Sequence, residues 1–349
     1  MVAIGAASVV AAVVALAGFK LNGGETAPPE VLPNSVVRID PETLKPTDVV
    51  PIGDAPDLVV LAGGFAWVTH HILRDTEGEG LRNAGDRTLT RVDLSTREPQ
   101  VVGGGLAPCG IAADPSGDVW VANCYPAGSG ARPNVVRIDA RTLNFEAGPW
   151  PVPAAADTFR GLVYGGGSLW LSAIAQPHDA ATPEAVAKIN PRTGRWHSIP
   201  LPWPPRPLAW SDGYGDLWLS NFAVGSVSRL HITTDGVDTK HAVATNPGAL
   251  VVDGDTVWVA DWSGPRVVRL RAVGRTRTRS VYLPVKNLAE AGVSYIAAGA
   301  GAIWAATPHD RTLWRIDAKT NKVTPIHMPH DPWGVAADDH DVWVTVRAE

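Results

Sequence analysis

The 349-residue chain is poor in charge: 19% of its residues are Asp, Glu, Lys or Arg, and they sum to −5. Without an excess of Lys and Arg there is no electrostatic footprint for nucleic acid or for an anionic membrane surface. Phe and Tyr are scarce, five of each, and there are two cysteines. No Gly-x-Ser-x-Gly elbow, phosphate loop or EF-hand calcium loop occurs, which removes the common sequence signatures of hydrolases, nucleotide enzymes and calcium sensors. Beyond the first twenty residues nothing reads as helical. What the chain does have is Gly (35), Pro (30) and, above all, Trp (14). Abundant turn residues without a collagen period suit many short strands, and an excess of one aromatic points to repeats.

One motif, an apolar residue followed by Trp and usually Val or Leu, recurs seven times, at Trp67, Trp120, Trp170, Trp218, Trp258, Trp304 and Trp343. The separations are 53, 50, 48, 40, 46 and 39 residues. A second series has the same count and pairs a basic residue with an apolar one: Arg38-Ile39, Arg91-Val92, Arg137-Ile138, Lys188-Ile189, Arg229-Leu230, Arg269-Leu270 and Arg315-Ile316. Periods of this length are those of propeller blades. Each unit parses into a short apolar strand A, the Trp strand B, the Arg strand C and, after an Asp-x-x-Thr turn such as Asp40 to Thr43, strand D. The chain opens with a C–D pair (35–52) and ends with an A–B pair (333–346). The fold class is therefore all-β: a seven-bladed β-propeller over 34–349 whose last blade is closed by strands from both termini, leaving no open edge.

Residues 1–20 read as a signal peptide or a transmembrane anchor, an N-terminal apolar helix, because Met1 to Phe19 carries no charged side chain and is just long enough to span a bilayer. A buried core helix is the alternative. Ala15-Leu16-Ala17 fits a signal-peptidase site, but the basic stretch that normally precedes one is missing, as it would be if the chain began inside a longer protein. Residues 21–33 read as a flexible tether. Localisation is then extracytoplasmic, with a membrane contact through 1–20.

The stretch Pro108-Cys109-Gly110-Ile111-Ala112-Ala113-Asp114-Pro115-Ser116-Gly117-Asp118-Val119-Trp120-Val121-Ala122-Asn123, with Val136-Arg137-Ile138-Asp139 after it, resembles the YncE-like and virginiamycin-B-lyase-like propellers over about residues 34–346. The resemblance implies the fold and a choice of functions, since such propellers include lyases, lactonase relatives and sensor domains. Actinobacterial sensor proteins with an external propeller are similar in layout. The lyase pattern of the family sets a His and a Glu-x-His pair around magnesium, and no Glu-x-His occurs in this chain.

Cys109 and Cys124 fall opposite one another when the A–B hairpin is counted outward from Ser116-Gly117. Paired strands bring opposed residues within disulfide range. The count puts them at a hydrogen-bonded pair, where a bridge needs a bulge to escape strain; two buried free thiols are the alternative. A bridge implies an oxidising compartment.

Long B–C and D–A loops share one propeller face, and short A–B turns the other. Function concentrates on loops held by a scaffold, so the long-loop face is the expected site; six of ten histidines fall on it: His70, His71, His178, His309, His327 and His330. Stepping ten residues back from the blade tryptophans gives the channel mouth: Asp57, Arg160, Gly248, Ser294 and Trp333, with Cys109 and Arg206 completing the ring. The ends of the B strands give a second ring that includes His70, Asn123, Asn221, Asp261 and Thr307. Candidate ligand-binding residues are Asp57, His70, Arg160, Arg206, Asn221, Asp261, His309 and Trp333. Arg160 and Arg206 either hold a carboxylate or phosphate through their planar forks or pair with Asp57 or Asp261 and plug the channel. Trp203 and Trp262 are further aromatics on this face. The expected function is a non-catalytic ligand-binding or protein-interaction module of sensor type, with no cofactor and an unidentified small ligand or protein partner. The alternative is a metal-dependent lyase or lactonase-like enzyme using His70, Asp57, Asp261 or His309.

Overall fold

A computed structural model describes residues 27–70, 88–102, 106–124, 132–152, 161–173, 185–203, 207–238, 241–272, 277–288 and 291–348. The strands form seven antiparallel sheets, one per predicted blade. Blade 2 shows the pattern: Pro108–Ala113 (A), Val119–Asn123 (B), Asn134–Ile138 (C) and Phe145–Pro151 (D). Blade 4 has its outer strand in two pieces, Gly236–Val237 and His241–Ala242, both paired with Ser226–His231. Blade 7 closes the ring. Its inner strands, Asp331–Ala337 and Val342–Arg347, come from the C-terminus, and its outer strands, Ser35–Ile39 and Pro46–Pro51, from the N-terminus.

All seven motif tryptophans are buried, filling the seams where the inner faces of neighbouring sheets meet. Each lies directly across from the motif cation on strand C: Trp67↔Arg91, Trp120↔Arg137, Trp170↔Lys188, Trp218↔Arg229, Trp258↔Arg269, Trp304↔Arg315 and Trp343↔Arg38. In three of these pairs the cation stands over the indole, at 5.8 Å for Arg137, 5.0 Å for Lys188 and 4.9 Å for Arg269, within cation–π range. The acid after the motif caps the C–D turn. Asp40, Asp139 and Asp317 each accept the backbone N–H of the Thr three residues on, and Asp93 that of Thr96. These bonds favour the carboxylates and hold Asp40, Asp139 and Asp317 below the ordinary carboxylate value.

Cys109 and Cys124 form a disulfide with Cα atoms 5.8 Å apart. The register differs from the count by one residue. The turn spans Asp114 to Asp118, closed by Asp114 N–H to Asp118 O, so Ala113 faces Val119 rather than its predicted partner. A bulge between Pro108 and Gly110 then shifts Cys109 toward Cys124, the escape from strain that the hydrogen-bonded position required.

Of residues 27–33, expected as part of the tether, Val31 is buried in one apolar cluster with Ile326 and Met328 while the rest are exposed. A single apolar side chain inside a polar, Pro-rich stretch is a weak periodicity signal, which is why the sequence pattern misses it. The N-terminal helix, residues 1–20, lies outside the described residues. Among the described residues no helix is long and apolar enough to cross a membrane.

Candidate functional site at the channel mouth

The mouth is built by a repeated device. Strand A begins with Pro in blades 1, 2 and 5, at Pro56, Pro108 and Pro247, and has Pro332 as its second residue in blade 7, and each of those strands carries a bulge immediately after the proline. Proline lacks the N–H for the ladder and is tolerated at a strand start or bulge. The residue after it is therefore turned out of the pleat. Those residues are Asp57, Cys109, Gly248 and Trp333, all members of the mouth ring derived from spacing. A hydroxyl two residues after the blade tryptophan satisfies the freed backbone: Thr69 Oγ1 accepts from Leu58 N–H at 3.1 Å, and Thr345 Oγ1 from Gly334 N–H at 2.8 Å. In the sequence this shows as Trp-x-Thr or Trp-x-Ser, at Thr69, Ser172, Ser220 and Thr345.

Two hollows open on the long-loop face. The larger, about 220 Å³, is lined by Trp262, Ser263, Ala291, Gly292, Ser294, Pro308, His309 and Trp333. The second, about 150 Å³, is lined by Pro207, Phe222, Gly248, Ala249, Trp262, Ser294 and Tyr295. They share Trp262 and Ser294. Trp262 is held from behind, since its N–H donates to Asn246 O at 2.9 Å. Gly292 packs so closely on the Trp262 carbonyl that a Cβ there would collide with it.

Of the predicted residues, Trp333, Ser294, Gly248 and His309 line these hollows, and His309 is exposed in the turn Pro308–Asp310. Asp57 stands behind Trp333: one carboxylate oxygen accepts the indole N–H at 2.7 Å and an Arg347 N–H at 3.0 Å. The Arg347 guanidinium lies 3.8 Å from the Trp333 ring centroid, and its Nε donates to Pro56 O at 2.7 Å. In the sequence, the strand-end spacing falls on Val346, one residue earlier, and so does not single out Arg347. Asp261 is buried and pairs with Arg266 at 2.8 Å, while accepting from Ser263. Arg160 and Arg206 lie outside the described residues, as do His71 and His178.

His70 and Asn221 are buried beneath the mouth rather than in it. His70 Nδ1 donates to Asp54 O at 2.8 Å, which leaves Nε2 to accept the Thr90 hydroxyl at 2.8 Å. Burial pushes its pKa below the ordinary histidine value. Asn221 donates to the Ser226 and Ser228 hydroxyls. Asn123 and Thr307, at the equivalent strand ends, are likewise buried and bonded to their own loops. The second ring therefore ties the ends of the B strands to strand C and, at His70 and Asn123, to the D–A loops. Among the described residues no three His, Cys, Asp or Glu side chains converge as metal ligands.

The opposite end of the channel holds a wider hollow of about 630 Å³, between strands A of blades 2 to 5. Its walls are largely aliphatic, with Asp114 and Asp212 at the rim. Asp114 is engaged by Arg137 at 3.2 Å and by the Trp120 indole at 3.0 Å.

With that geometry in place, the fold can be set beside solved structures. A catalytically inactive virginiamycin B lyase from Staphylococcus aureus, solved with quinupristin, superposes with a TM-score of 0.65 at 14% identity, covering 88% of this chain and 98% of that one. The Cps50 (Swd1) propeller domain of Myceliophteria thermophila gives 0.62 at 11% identity, covering 84% and 97%. U3-55K gives 0.60 at 8% identity, covering 89% and 98%. The chain is thus a seven-bladed propeller. Likeness at this identity, spread over proteins of unlike function, speaks for the fold alone. No protein-family model matches the sequence, and no curated protein matches it.

Proposed function

We propose that the chain is an extracytoplasmic, non-catalytic binding module of sensor type whose ligand enters the aromatic mouth between Trp262 and Trp333. The observation that carries this reading is the state of the charges there. Among the described residues, Asp57 and Asp261 are each neutralised by their own arginine, and the lining is dominated by Trp262, Trp333, Phe222, Tyr295 and Pro308, with the exposed His309 imidazole beside them. Concave aromatic surfaces with few polar groups suit a neutral molecule that offers a flat apolar ring. The disulfide fits an oxidising compartment outside the cytoplasm, and residues 1–20 supply the membrane link.

The enzyme reading requires His70, Asp57, Asp261 or His309 as metal ligands. The first three are engaged by protein partners, and the described residues offer no converging donor set. A panel of neutral aromatic and saccharide fragments, screened by ligand-observed NMR, tests the proposal. Saturable binding that Trp262→Ala abolishes is the expected result. Specific turnover of a lactone or a cyclic depsipeptide by the wild-type chain would overturn it.

A further inference from the structure

We infer that the long-loop face of blades 4 to 7 lies against a lipid bilayer, with Val224, Trp262 and Leu288 in the interface. Single exposed apolar residues are ordinary on a protein surface, so the argument rests on their placement. Val224 is 47% exposed in the B–C loop of blade 4, Trp262 38% in that of blade 5, and Leu288 73% in the loop from blade 5 to blade 6. Leu32, 40% exposed, precedes the first strand of blade 7. All four sit where strand B ends, strand C begins, or strand D passes to strand A, which is one face. On the opposite face, Tyr214 is exposed in an A–B turn, and Phe145 and Trp196 are exposed where D strands begin, but there they stand apart on separate blades and no chain terminus joins the propeller at that end.

The chain enters the propeller on this same face. Ser35 starts a strand C, and Val31 is pinned against Ile326 and Met328 at the start of a D–A loop. The uncharged run Met1 to Phe19 ends eight residue steps before Ala27, a distance of at most about 27 Å even when fully extended. Membrane insertion of that run would hold the exposed Val224–Trp262–Leu288 arc close to the headgroups. Tryptophan is the side chain best suited to that depth, having an apolar body and a polar N–H. Among the described residues, charges of both signs stand on this face, in the pairs Asp57–Arg347, Asp261–Arg266 and Asp331–Arg311 and in Lys286 and Asp310 beside Leu288, a mixture that suits a zwitterionic bilayer. Trp262 also lines the proposed ligand mouth, so on this reading a ligand reaches the mouth along the bilayer surface, whatever its chemistry.

The test uses the full chain reconstituted into phosphatidylcholine vesicles in which part of the lipid is brominated. No tryptophan precedes Trp67, so every quenched tryptophan belongs to the propeller. The expected result is a quenched component that disappears in Trp262→Phe, weakens in Leu288→Asp and persists in Trp210→Phe on the opposite face. Leu288→Asp, at a highly exposed position, keeps the test decisive if Trp262→Phe folds poorly. Failure of the chain to float with vesicles, absence of quenching, or quenching unchanged in Trp262→Phe would each overturn the inference. So would a Trp262 shielded without lipid, whether by the N-terminal segment or by a second copy seen as a doubled mass. Fragment binding to the detergent-solubilised chain is read separately, so failure of the ligand site and failure of the lipid contact remain distinguishable.

Discussion

Arg91 of blade 1 donates from Nη1 to the carbonyl oxygen of Ala140, in blade 2, at 2.5 Å. The same step recurs around the ring. Lys188 Nζ reaches Ile232 O at 3.0 Å, Arg229 reaches Ala272 O at 3.4 Å, and Arg269 reaches Ala318 O at 3.4 Å. Each acceptor lies one or two residues past strand C of the next blade. The motif cation thus has two tasks, covering its own tryptophan and fastening the neighbouring blade. Replacing Arg91 with Ala is expected to lower unfolding free energy by about 1–2 kcal/mol, the scale of a hydrogen bond to a charged group at a partly exposed site. Denaturant midpoints at unchanged slope would show it, and Arg91→Lys should recover part of the loss.

The Cys109–Cys124 bridge closes a short loop across the A–B hairpin of blade 2, with a sequence separation of 15. Loop-closure entropy sets its contribution at about 3 kcal/mol. The double variant Cys109→Ala, Cys124→Ala should fold with a correspondingly lower denaturant midpoint. Intact-mass analysis after alkylation under non-reducing conditions should find no free thiol in the wild type.

Two histidines should tilt stability with pH in opposite directions. Burial lowers the folded-state pKa of His70, so its contribution is fully present above the unfolded value of about 6.5 and is lost as pH falls below that value toward the folded one. His231 lies between Asp238 at 2.9 Å and Asp216 at 3.0 Å, and the hydrogen bond to Asp238 raises its pKa first of all. Its contribution is present below about 6.5 and is lost as pH rises through the raised value. Melting curves from pH 5 to 8 should show the acid-side loss flatten in His70→Gln, and the loss on the alkaline side flatten in His231→Gln. The His231 effect is the smaller, because that ring is partly exposed to solvent screening.

Arg347 ties the last strand to the first strand of blade 1 through Pro56 O and Asp57. Arg347→Met should cost about 3 kcal/mol, since it leaves the Asp57 carboxylate partly buried without its cation. Asp57→Asn, Arg347→Met together should cost less than the two single changes summed, as expected for partners in one network. Arg347→Met also takes the guanidinium from the Trp333 ring, so a shift of tryptophan emission should accompany the loss of stability.

Most of the architecture was legible because it repeats. Seven Trp–basic pairs specify seven B–C hairpins, and the unpaired C–D and A–B ends leave one way to close the ring. The mouth ring was legible for a related reason: a fixed ten-residue step from each tryptophan lands on the bulge after Pro56, Pro247 and Pro332. The strand-end ring read less well. Position alone places His70, Asn221 and Asp261 at the mouth, but whether an end residue faces the channel or its own loop depends on pleat and on hydrogen bonds to Asp54, Ser226 or Arg266 that no spacing reveals. Arg347 and the hairpin register of Cys109 escaped for the same physical reason. A single bulge moves a side chain to the other face, and bulges leave only a faint trace, here a proline at the head of strand A.

The closing blade also determines how the molecule bears load. Ser35–Ile39, where the N-terminal segment joins the propeller, is not an edge strand but lies between Pro46–Pro51 and Val342–Arg347. A pull directed along that strand from its N-terminal end stresses both hydrogen-bonded ladders in shear, many bonds together rather than one after another. If residues 1–20 are held in a membrane, drag on the propeller is met first at its mechanically strongest seam, and the aromatic mouth keeps its shape while the body is tugged.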